Sequence, residues 1–460
     1  MTLRIANTLT GREEEFQPLG DPVRMYLCGM TPKFHPHIGH ARLFVAVDLI
    51  RRTLEHRGYR VRYVQNFTDI DDKIIDRSKQ EGASAEEVAK RYTDSYFESM
   101  ALLGVKAADE YPSVTRYMSQ IIAYVQSLVD RGYAYDVDGD VYFAVDRFPD
   151  YGKLSGRTEE SGMTGVRVEL EAGKRDPRDF ALWKSAKPGE PAWDSPWGPG
   201  RPGWHIECST MVRETLGDQI DIHCGGQDLI FPHHENEIAQ SESFTGCVPF
   251  ARYWAHIGLV TTGSEKMAHS LMNFTTVKDM LEKYEPAAVR TYLLQTHYRS
   301  PMVFSEEGLV NATRSLRALR MAYGESDAAT LPAESSAAAQ GLLDRFDALL
   351  EDDFNSPGAL GVVFDTTHEI NRIAGAGGEG AALRGALRTM IDVLGIPLAG
   401  GAPPAQATDA APFIDLLVAT RAGLRAERQW ALADRVRDGL KELGVTIEDS
   451  PTGTTWRLES

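Results

Sequence analysis

An alternation of strand-like and helix-like segments near the N-terminus constrains the fold more than any other feature of this chain. Val23–Cys28 and Val61–Gln65 are short β-rich runs. Between them, Thr31–Pro36 carries two prolines and is expected to be a loop. Apolar residues then follow the spacing of a helix with one buried face, at Ile38, Ala41, Val45 and Leu49. A helical crossover between two strands predicts a parallel sheet, whose ligands bind beyond the carboxyl ends of the strands.

The residue composition and pattern change several times along the rest of the chain, which predicts further domains. The segment 107–203, with one amphipathic helix and a loop rich in Pro, Gly and Trp, is typical of an insertion within one nucleotide-binding fold. The strand Gln219–His223, with a helix expected from His233, resumes that fold. We therefore predict an α/β fold, in which a Rossmann-type parallel-sheet domain with an inserted connective subdomain precedes an α-helical bundle and a small C-terminal domain. The predicted boundaries are 1–106, 107–203, 204–262, 263–310, 311–400 and 401–460, with one helix from Ile414 to Leu443 and a short tail in the last part.

Composition excludes several classes of protein. A formal charge of −17 argues against a general polyanion binder, although local basic patches still permit a nucleic-acid enzyme. No run approaches the roughly 18 apolar residues of a membrane span, and the first residues lack the apolar segment of a secretory signal. Cysteine is too scarce for a disulfide framework and fits a reducing cytosol, so we expect a cytoplasmic protein. The four cysteines are Cys28, Cys208, Cys224 and Cys247.

Two segments carry residues suited to a nucleotide. His37-Ile38-Gly39-His40 places two imidazoles on the first turn of a helix, where backbone N–H groups and the helix dipole attract anions. A helix start that merely contains histidines remains the alternative. Gly225-Gly226-Gln227-Asp228 follows a strand, so glycines can admit a nucleotide and an acid can bind a ribose hydroxyl. It lacks the full G-x-G-x-x-G pattern and is weak alone.

A loop cation and a metal-binding set complete the candidates. Lys266 in Lys266–Ser270 can hold a leaving pyrophosphate, although a solvated surface loop explains that segment equally well. His233 and Glu237 lie at i and i+4 on one helix face and can share a metal. With the thiols of Cys28 and Cys208 they make a tetrahedral zinc set. Two buried cysteines beside an ordinary polar helix are the alternative, whereas a metallohydrolase lacks its H-E-x-x-H or H-x-x-E-H motif here.

Together these segments resemble class I aminoacyl-tRNA synthetases. His37–His40 matches their HIGH motif, and Lys266–Ser270 stands where their KMSKS motif would. Five further phrases are similar to the cysteinyl-tRNA synthetase family, and the resemblance covers nearly the whole chain. These phrases are Asn66–Lys73, Gly200–Cys208, Phe231–Glu237, Asp353–Leu360 and Gly453–Arg457.

The resemblance implies the zinc ligands and the reaction. Cys28, Cys208, His233 and Glu237 would hold one Zn²⁺ that selects the thiol of L-cysteine. Cysteine would attack the α-phosphate of ATP, accompanied by Mg²⁺, and the cysteinyl group would then pass to the terminal adenosine of tRNA(Cys). The C-terminal domain would recognise the anticodon, and the protein would be a monomer.

The resemblance also implies individual site residues. His37, His40, Lys266 and His269 would be catalytic, and the same residues would bind ATP together with Gly39, Gly225, Gly226 and Asp228. The cysteine pocket would include Gly29, Thr31, Thr68 and Trp204. A basic stripe with one aromatic residue would bind tRNA, although interleaved acidic residues also fit a solvated helix. Its members are Arg421, Arg425, Arg428, Arg435, Arg437 and Trp456.

Two other functions compete with this interpretation. A ligase that joins activated cysteine to an amino sugar would share the zinc pocket and both nucleotide motifs, but such relatives generally lack the C-terminal tail present here as Asp449–Arg457. A non-catalytic paralogue that binds tRNA or zinc is the other, because the KMSKS-like loop is altered. Paired lysines that some members use with pyridoxal phosphate are also in doubt, since Asp76 accompanies Lys73.

The altered loop predicts an unusual pH dependence. His269 replaces a second lysine of the family's loop. An imidazole with a reference pKa near 6.5 loses its charge across neutral pH, whereas an ammonium near 10.4 does not. Cysteine activation should therefore depend on pH between about 6 and 8, and His269→Lys should flatten that dependence. ATP–pyrophosphate exchange measures the pH profiles of the wild type and of His269→Lys. Identical profiles would contradict the predicted effect of His269.

Overall fold

The computed structural model describes residues 2–157, 173–261, 275–324, 337–376, 380–398, 411–442, 445–450 and 453–458. The chain divides into two compact units, 1–399 and 400–460. Within the described residues, no helix combines the length and the apolar character needed to cross a bilayer.

The first half of the large unit has the predicted β–α–β order. Its helix begins where the Pro36 loop ends and buries the expected apolar face, including Ile38, Ala41 and Val45. The strands extend slightly further than the sequence indicates. The elements are β1 (Arg4–Asn7), β2 (Arg12–Glu15), β3 (Val23–Met30), α1 (Ile38–His56), β4 (Val61–Phe67), α2 (Asp72–Glu81) and α3 (Ala85–Leu102).

An antiparallel sheet marks the inserted part. Its strands run in the order β5-β6-β7-β8 and pack beside one helix, α4 (Met118–Asp130). The strands are β5 (Ala134–Val137), β6 (Asp140–Phe143), β7 (Phe180–Ser185) and β8 (Gly200–Pro202). Because this sheet is separate from the parallel one, the insertion predicted from composition is a distinct layer of structure.

The second half adds two strands to the parallel sheet. The elements are α5 (Ile206–Leu216), β9 (Ile220–Gly226), α6 (Glu235–Thr245), β10 (Ala251–Ile257) and β11 (Val260–Thr261). The sheet order is β10-β9-β3-β4, and every pairing in it is parallel. The chain runs outward from β3 to β4 and from β9 to β10, so the strand order reverses between β3 and β9. Ligands of such sheets bind at this reversal, beyond the carboxyl ends of the strands.

Helices dominate the remainder of the large unit. They are α7 (Val277–Lys283), α8 (Pro286–Leu294), α9 (Glu306–Tyr323), α10 (Ala337–Glu351), α11 (Ser356–Gly375) and α12 (Ala381–Leu394), and β12 (Met302–Val303) pairs with β11. Residues of α1, the parallel sheet and these helices form one buried apolar cluster. The helix that carries His40 therefore lies between the sheet and the helical part.

The small unit corrects one sequence prediction. The single helix expected from Ile414 to Leu443 is two helices, α13 (Ala411–Ala426) and α14 (Trp430–Glu442), and the tail is an antiparallel hairpin of β13 (Val445–Ser450) and β14 (Gly453–Leu458). Arg428 has φ of 59° and ends α13. Gln429 N–H donates to Leu424 O (2.8 Å), as in a Schellman turn. Because arginine rather than glycine occupies the left-handed position, the sequence carries no stop signal there.

A buried ion pair joins α1 to the helical part. Arg290 is fully buried and donates to Asp48 Oδ2 (2.5 Å), Leu394 O (2.7 Å) and Leu103 O (3.0 Å). Asp48 also accepts from Arg52 Nε (2.7 Å). The three elements α1, α8 and α12 are thus fixed to each other by groups that cannot reach water.

Asp48→Asn should therefore destabilise the large unit strongly. It leaves the Arg290 guanidinium buried without its carboxylate, a change that typically costs about 3–5 kcal/mol. Asp21→Asn is the control, because Asp21 and Arg60 form an ion pair on the surface with side chains 64% and 74% exposed. Urea denaturation of the full chain should show a lower midpoint for Asp48→Asn alone. Equal midpoints for both variants would contradict the structural role of Asp48.

Candidate active site: metal centre and nucleotide cavity

The four predicted metal ligands meet at the carboxyl end of β3. Cys28 comes from β3, Cys208 from α5, Glu237 from α6 and His233 from the turn Ile230–His234 that leads into α6. Cys28 Sγ lies 3.5 Å from Cys208 Sγ, 3.4 Å from His233 Nε2 and 3.2 Å from Glu237 Oε1. All four side chains are buried, and one ligand atom from each lies within 4.8 Å of every other. The sequence expects a helix from His233, whereas α6 begins at Glu235; the i, i+4 relation to Glu237 nevertheless keeps both side chains on one side.

The donor set fits a tetrahedral metal with a preference for sulfur. Two thiols, one imidazole and one carboxylate are the ligands of structural and substrate-binding zinc, and their separations are those of atoms around one small ion. A second quartet, Cys28, His223, His234 and Glu237, also lies within 4.8 Å. It contains only one thiol. The first set is therefore the better zinc site.

Electrostatics within the cluster favours the anionic forms of Cys208 and Glu237 and the neutral thiol of Cys28. Burial raises the pKa of Cys28, whereas the hydrogen bond that Cys28 donates lowers the pKa of Cys208 to about 6. Although burial works to raise the pKa of Glu237, the charges of His223 and His233 hold it well below its usual value. Burial works to lower the pKa of His233, but the Glu237 carboxylate raises it to about 10. A bound cation would replace the proton on His233.

Further histidines orient the ligands, and the sequence analysis did not identify them. His205 Nδ1 lies 2.8 Å from His233 Nδ1, which leaves Nε2 of His233 facing the thiols. His223 Nε2 lies 2.9 Å from Glu237 Oε2, while Oε1 faces Cys28. Such partners fix the orientation of metal ligands. In the sequence, the only signals for these histidines were the position of His223 within a buried strand and that of His205 close to Cys208.

Beside the cluster lies a cavity of about 310 Å³. It contains residues from both candidate nucleotide motifs, and Cys28 belongs to its lining as well as to the metal cluster. Part of its wall is the segment 257–260, at the carboxyl end of β10. The predicted site residues in its lining are Cys28, Gly29, Thr31, His37, Gly39, His40, Gly226 and Asp228.

The two histidines of the first motif cap their own helix. His37 Nδ1 accepts from Gly39 N–H (3.1 Å), and His40 Nδ1 accepts from His37 N–H (3.3 Å). The rings stack with centroids 3.8 Å apart. Because Nδ1 accepts in each ring, the proton of each neutral imidazole is on Nε2, which can donate to an anion. A Cβ at Gly39 would lie 2.9 Å from the His37 ring, so glycine is required there.

Other predicted residues lie near the cavity without lining it. A Cβ at Gly225 would lie 2.4 Å from the His234 ring, so this glycine allows the histidines to pack. Thr68 is buried and donates to Glu207 Oε2 (3.1 Å). The Trp204 ring is 38% exposed and lies with its centroid 4.5 Å from that of His233.

Two lysines of the cavity were missed by the sequence analysis. Lys33 and Lys73 both line it. Burial, with the charge of Lys73, lowers the pKa of Lys33. Each follows the carboxyl end of a parallel strand, β3 or β4, which is the signal that could have identified them. Lys266 and His269 lie outside the described residues.

Comparison with known proteins decides the family. Residues 15–314 match the profile of the tRNA synthetases class I (C) catalytic domain, 345–399 the DALR domain, and 408–457 the cysteinyl-tRNA ligase anticodon binding domain. A cysteine–tRNA ligase of Alkalilimnicola ehrlichii is 50% identical over 99% of this chain and 100% of that protein. The chain belongs to the cysteine–tRNA ligase family. A cysteine–tRNA ligase of Thermococcus onnurineus is 47% identical, over 99% of both chains.

Solved structures agree with this at the level of the fold. The Mycobacterium tuberculosis methionyl-tRNA synthetase in complex with methionyl-adenylate has a TM-score of 0.57 and 17% identity, covering 87% of this chain and 94% of that one. A LeuRS–tRNA–LeuAMS complex from Agrobacterium radiobacter has a TM-score of 0.60 and 12% identity, covering 83% and 84%. The predicted fold class and family resemblance are therefore confirmed. As a cysteine–tRNA ligase, the chain is an ATP-dependent enzyme that forms aminoacyl-tRNA, and the non-catalytic alternative is not supported.

The small unit of this cysteine–tRNA ligase uses some of the predicted tRNA-binding residues internally. Arg421, with its side chain 6% exposed, donates to both oxygens of Asp449 (2.8 and 2.7 Å), and Arg425 also pairs with Asp449. These ion pairs join α13 to β13. Trp456 Nε1 donates to Asp415 (2.7 Å), and exposed Arg437 pairs with Asp434 and Asp438. Arg428 and Arg435 are exposed. Arg421 is thus held in an internal ion pair, and its predicted contact with tRNA stays a prediction.

Loss of an orienting histidine should weaken metal binding. His223→Phe keeps the ring that stacks on Trp254 (centroids 4.4 Å apart) but removes the partner of Glu237. Such losses typically cost about 10- to 100-fold in metal affinity. Competition for Zn²⁺ with a chromophoric chelator measures the change. His56→Phe, which alters a surface histidine paired with Asp347, should bind zinc like the wild type. Unchanged affinity of His223→Phe would refute the orienting role.

Proposed function

We propose that this ligase activates L-cysteine with ATP to cysteinyl-adenylate and transfers the cysteinyl group to the 3′-terminal adenosine of tRNA(Cys). One observation supports this most directly: Cys28 belongs to both the metal cluster and the nucleotide cavity. An amino acid held by its side chain at the cluster would thus have its carboxylate beside the bound nucleotide. The match of 408–457 to an anticodon binding domain further favours this function over the amino-sugar ligase.

The cluster is proposed to hold one Zn²⁺ through Cys28, Cys208, His233 and Glu237. Bound zinc would supply a soft Lewis acid that binds a thiolate far more readily than a hydroxyl. All four ligands are buried, so water would not compete with the substrate thiolate at the ion. A pocket built around one functional group rejects the analogue without a separate editing step. We infer that Gly29, Thr31, Thr68 and Trp204 bound the cysteine pocket.

The cavity residues outside the metal cluster are proposed to bind ATP, with the histidines and lysines at its phosphates. His37 and His40 would donate from Nε2 to phosphate oxygens at the N-terminus of α1, where the helix dipole also favours negative charge. Lys33 and Lys73 would add positive charge to the same cavity. Gly226 would let the nucleotide approach the end of β9, and Asp228 would accept from its ribose. Lys266 and His269 are proposed to hold the departing pyrophosphate.

The proposed reaction has two steps. An oxygen of the cysteine carboxylate forms a bond to the α-phosphorus of ATP, which enters with Mg²⁺, and the bond to the pyrophosphate oxygen breaks. A ribose hydroxyl of the terminal adenosine then forms an ester with the cysteinyl carbonyl, and AMP leaves. The protein's part is to fix the reacting groups and to stabilise the charge that develops on the phosphates. We propose that it does so as a cytoplasmic monomer, with Arg428, Arg435, Arg437 and Trp456 on the tRNA side.

Removing one thiol ligand tests the metal centre. Cys208→Ala should lose its bound zinc and with it the discrimination between cysteine and serine, which for a site built around one functional group is on the order of 10⁴. Zinc analysis, together with ATP–pyrophosphate exchange on each amino acid, measures both effects.

Cys224→Ala provides a matched control. Cys224 is also a buried cysteine, but it lies within β9 outside the first ligand quartet. This variant should retain zinc and selectivity. A Cys208→Ala protein that keeps both, or a metal-loaded wild type that charges serine as readily as cysteine, would overturn the proposed function.

A further inference from the structure

Arg42 of α1 is a buried cation that the reaction described above does not use. Its side chain extends from the second turn of the helix, two residues after His40, and the residue is only 2% exposed. Burial lowers the pKa of Arg42 to about 10, so the guanidinium remains charged at neutral pH. A charged group in this position requires a reason, because burying it without partners is costly.

The partners of Arg42 are backbone carbonyls that lie far along the chain. Nε donates to Gly258 O (3.1 Å), and Nη1 donates to Leu293 O (3.3 Å). Nη2 donates to Ser300 O (2.7 Å) and His297 O (2.9 Å). These acceptors lie just after β10 (Gly258), in the last turn of α8 (Leu293) and in the connection from α8 to β12 (His297 and Ser300). One guanidinium therefore joins three separate segments to the helix of the first nucleotide motif.

The segment held by Arg42 is a wall of the nucleotide cavity. Gly258 lines the cavity together with Ile257 and Leu259, and the same cavity is lined by His37, Gly39 and His40. Gly258 N–H donates to Tyr298 O (2.8 Å), and Met302 N–H donates to Leu259 O (2.9 Å), so the wall and the 297–302 connection form one unit.

The position of this wall is tightly constrained by packing. A Cβ at Gly258 would lie 2.3 Å from Ser300 O. Any side chain at position 258 would therefore displace the wall or the 299–300 backbone, and Arg42 holds both against α1. After the wall, β11 ends at Thr261. The described chain resumes at Thr275, whose carbonyl oxygen accepts a hydrogen bond from Ile38 N–H of α1 (3.1 Å).

We propose that Arg42 is a positioning residue for adenylate formation: it sets the distance between the 257–260 wall and the histidines of α1, and thereby the fit of ATP. This inference rests on the assignment of the cavity to ATP. Arginine suits the role because its planar fork of five N–H donors can satisfy several carbonyls in fixed directions, which lysine cannot. Misplacement by about 1 Å can cost as much as 10²-fold in rate.

Arg42→Met, in the zinc-loaded full chain, tests the proposal. It keeps an unbranched side chain but removes all the donors. In ATP–pyrophosphate exchange, the KM for ATP should rise about tenfold or more and kcat should fall, while the KM for cysteine should change less than about twofold. Arg42→Lys, with three donors, should give a KM for ATP between those of the wild type and Arg42→Met.

Arg290→Met is the matched control for a purely structural effect. Arg290 is equally buried and also donates to backbone carbonyls, but it joins α8 to α12 and Asp48, away from the cavity. Arg290→Met should lower the denaturation midpoint, as Arg42→Met should. It should leave the KM for ATP of the folded protein within about twofold of the wild-type value. A KM for ATP that is unchanged in Arg42→Met, or raised equally in Arg290→Met, would overturn the proposal.

Gly258→Ala extends the test if Arg42→Met fails to fold. Its Cβ displaces the same wall without removing a charge, so the KM for ATP should again rise; Gly361→Ala, where a Cβ would meet nothing within 4 Å, should match the wild type. An unchanged KM for ATP in Gly258→Ala and Arg42→Lys would refute the proposal. A wild type without any cysteine-dependent exchange would instead refute the assignment of the cavity.

Discussion

The convergence of two thiols, an imidazole and a carboxylate at the end of β3 is the constraint on which the rest of the site depends. The sheet order β10-β9-β3-β4 places β3 in the interior of the sheet, with the strand order reversing at its side. Cys28 lies near the end of this strand, and α5, α6 and the turn before α6 bring the other three ligands to it from the second half of the fold. The metal centre thus connects two parts of the chain that an inserted antiparallel sheet separates.

Burial of the cluster strengthens its interactions but requires that its polar groups have partners. Taking a carboxylate and several imidazoles out of water is costly unless each finds a partner. Here the Glu237 carboxylate contacts His223, and the His233 imidazole contacts His205. The same lack of water strengthens every interaction with a thiolate that enters the pocket. In the proposed function, this arrangement would allow a small difference between sulfur and oxygen to be recognised by binding alone.

The sequence predicted the parts of the site whose signal is local, and it failed where the signal is distant. The α1 pattern and the i, i+4 pair of His233 and Glu237 depend on neighbours along the chain, so spacing was enough; Cys28 and Cys208 were added to that pair from the ligand preference of zinc. Arg42 and His223 could not be recognised, because their partners are brought near only by the complete fold. The ion pair of Arg421 with Asp449 was equally beyond the sequence, because charge along a helix does not reveal a partner on a later strand.

The mutual capping of His37 and His40 has a consequence for how any loss of function at these positions is interpreted. Each ring accepts a hydrogen bond from the first turn of α1, so truncating either one weakens helix initiation at the same time as it removes an imidazole. A kinetic defect in an alanine variant would thus mix fraying of the helix with missing chemistry. Asparagine at position 37, a residue that caps well, would keep the turn intact and isolate the contribution of the ring.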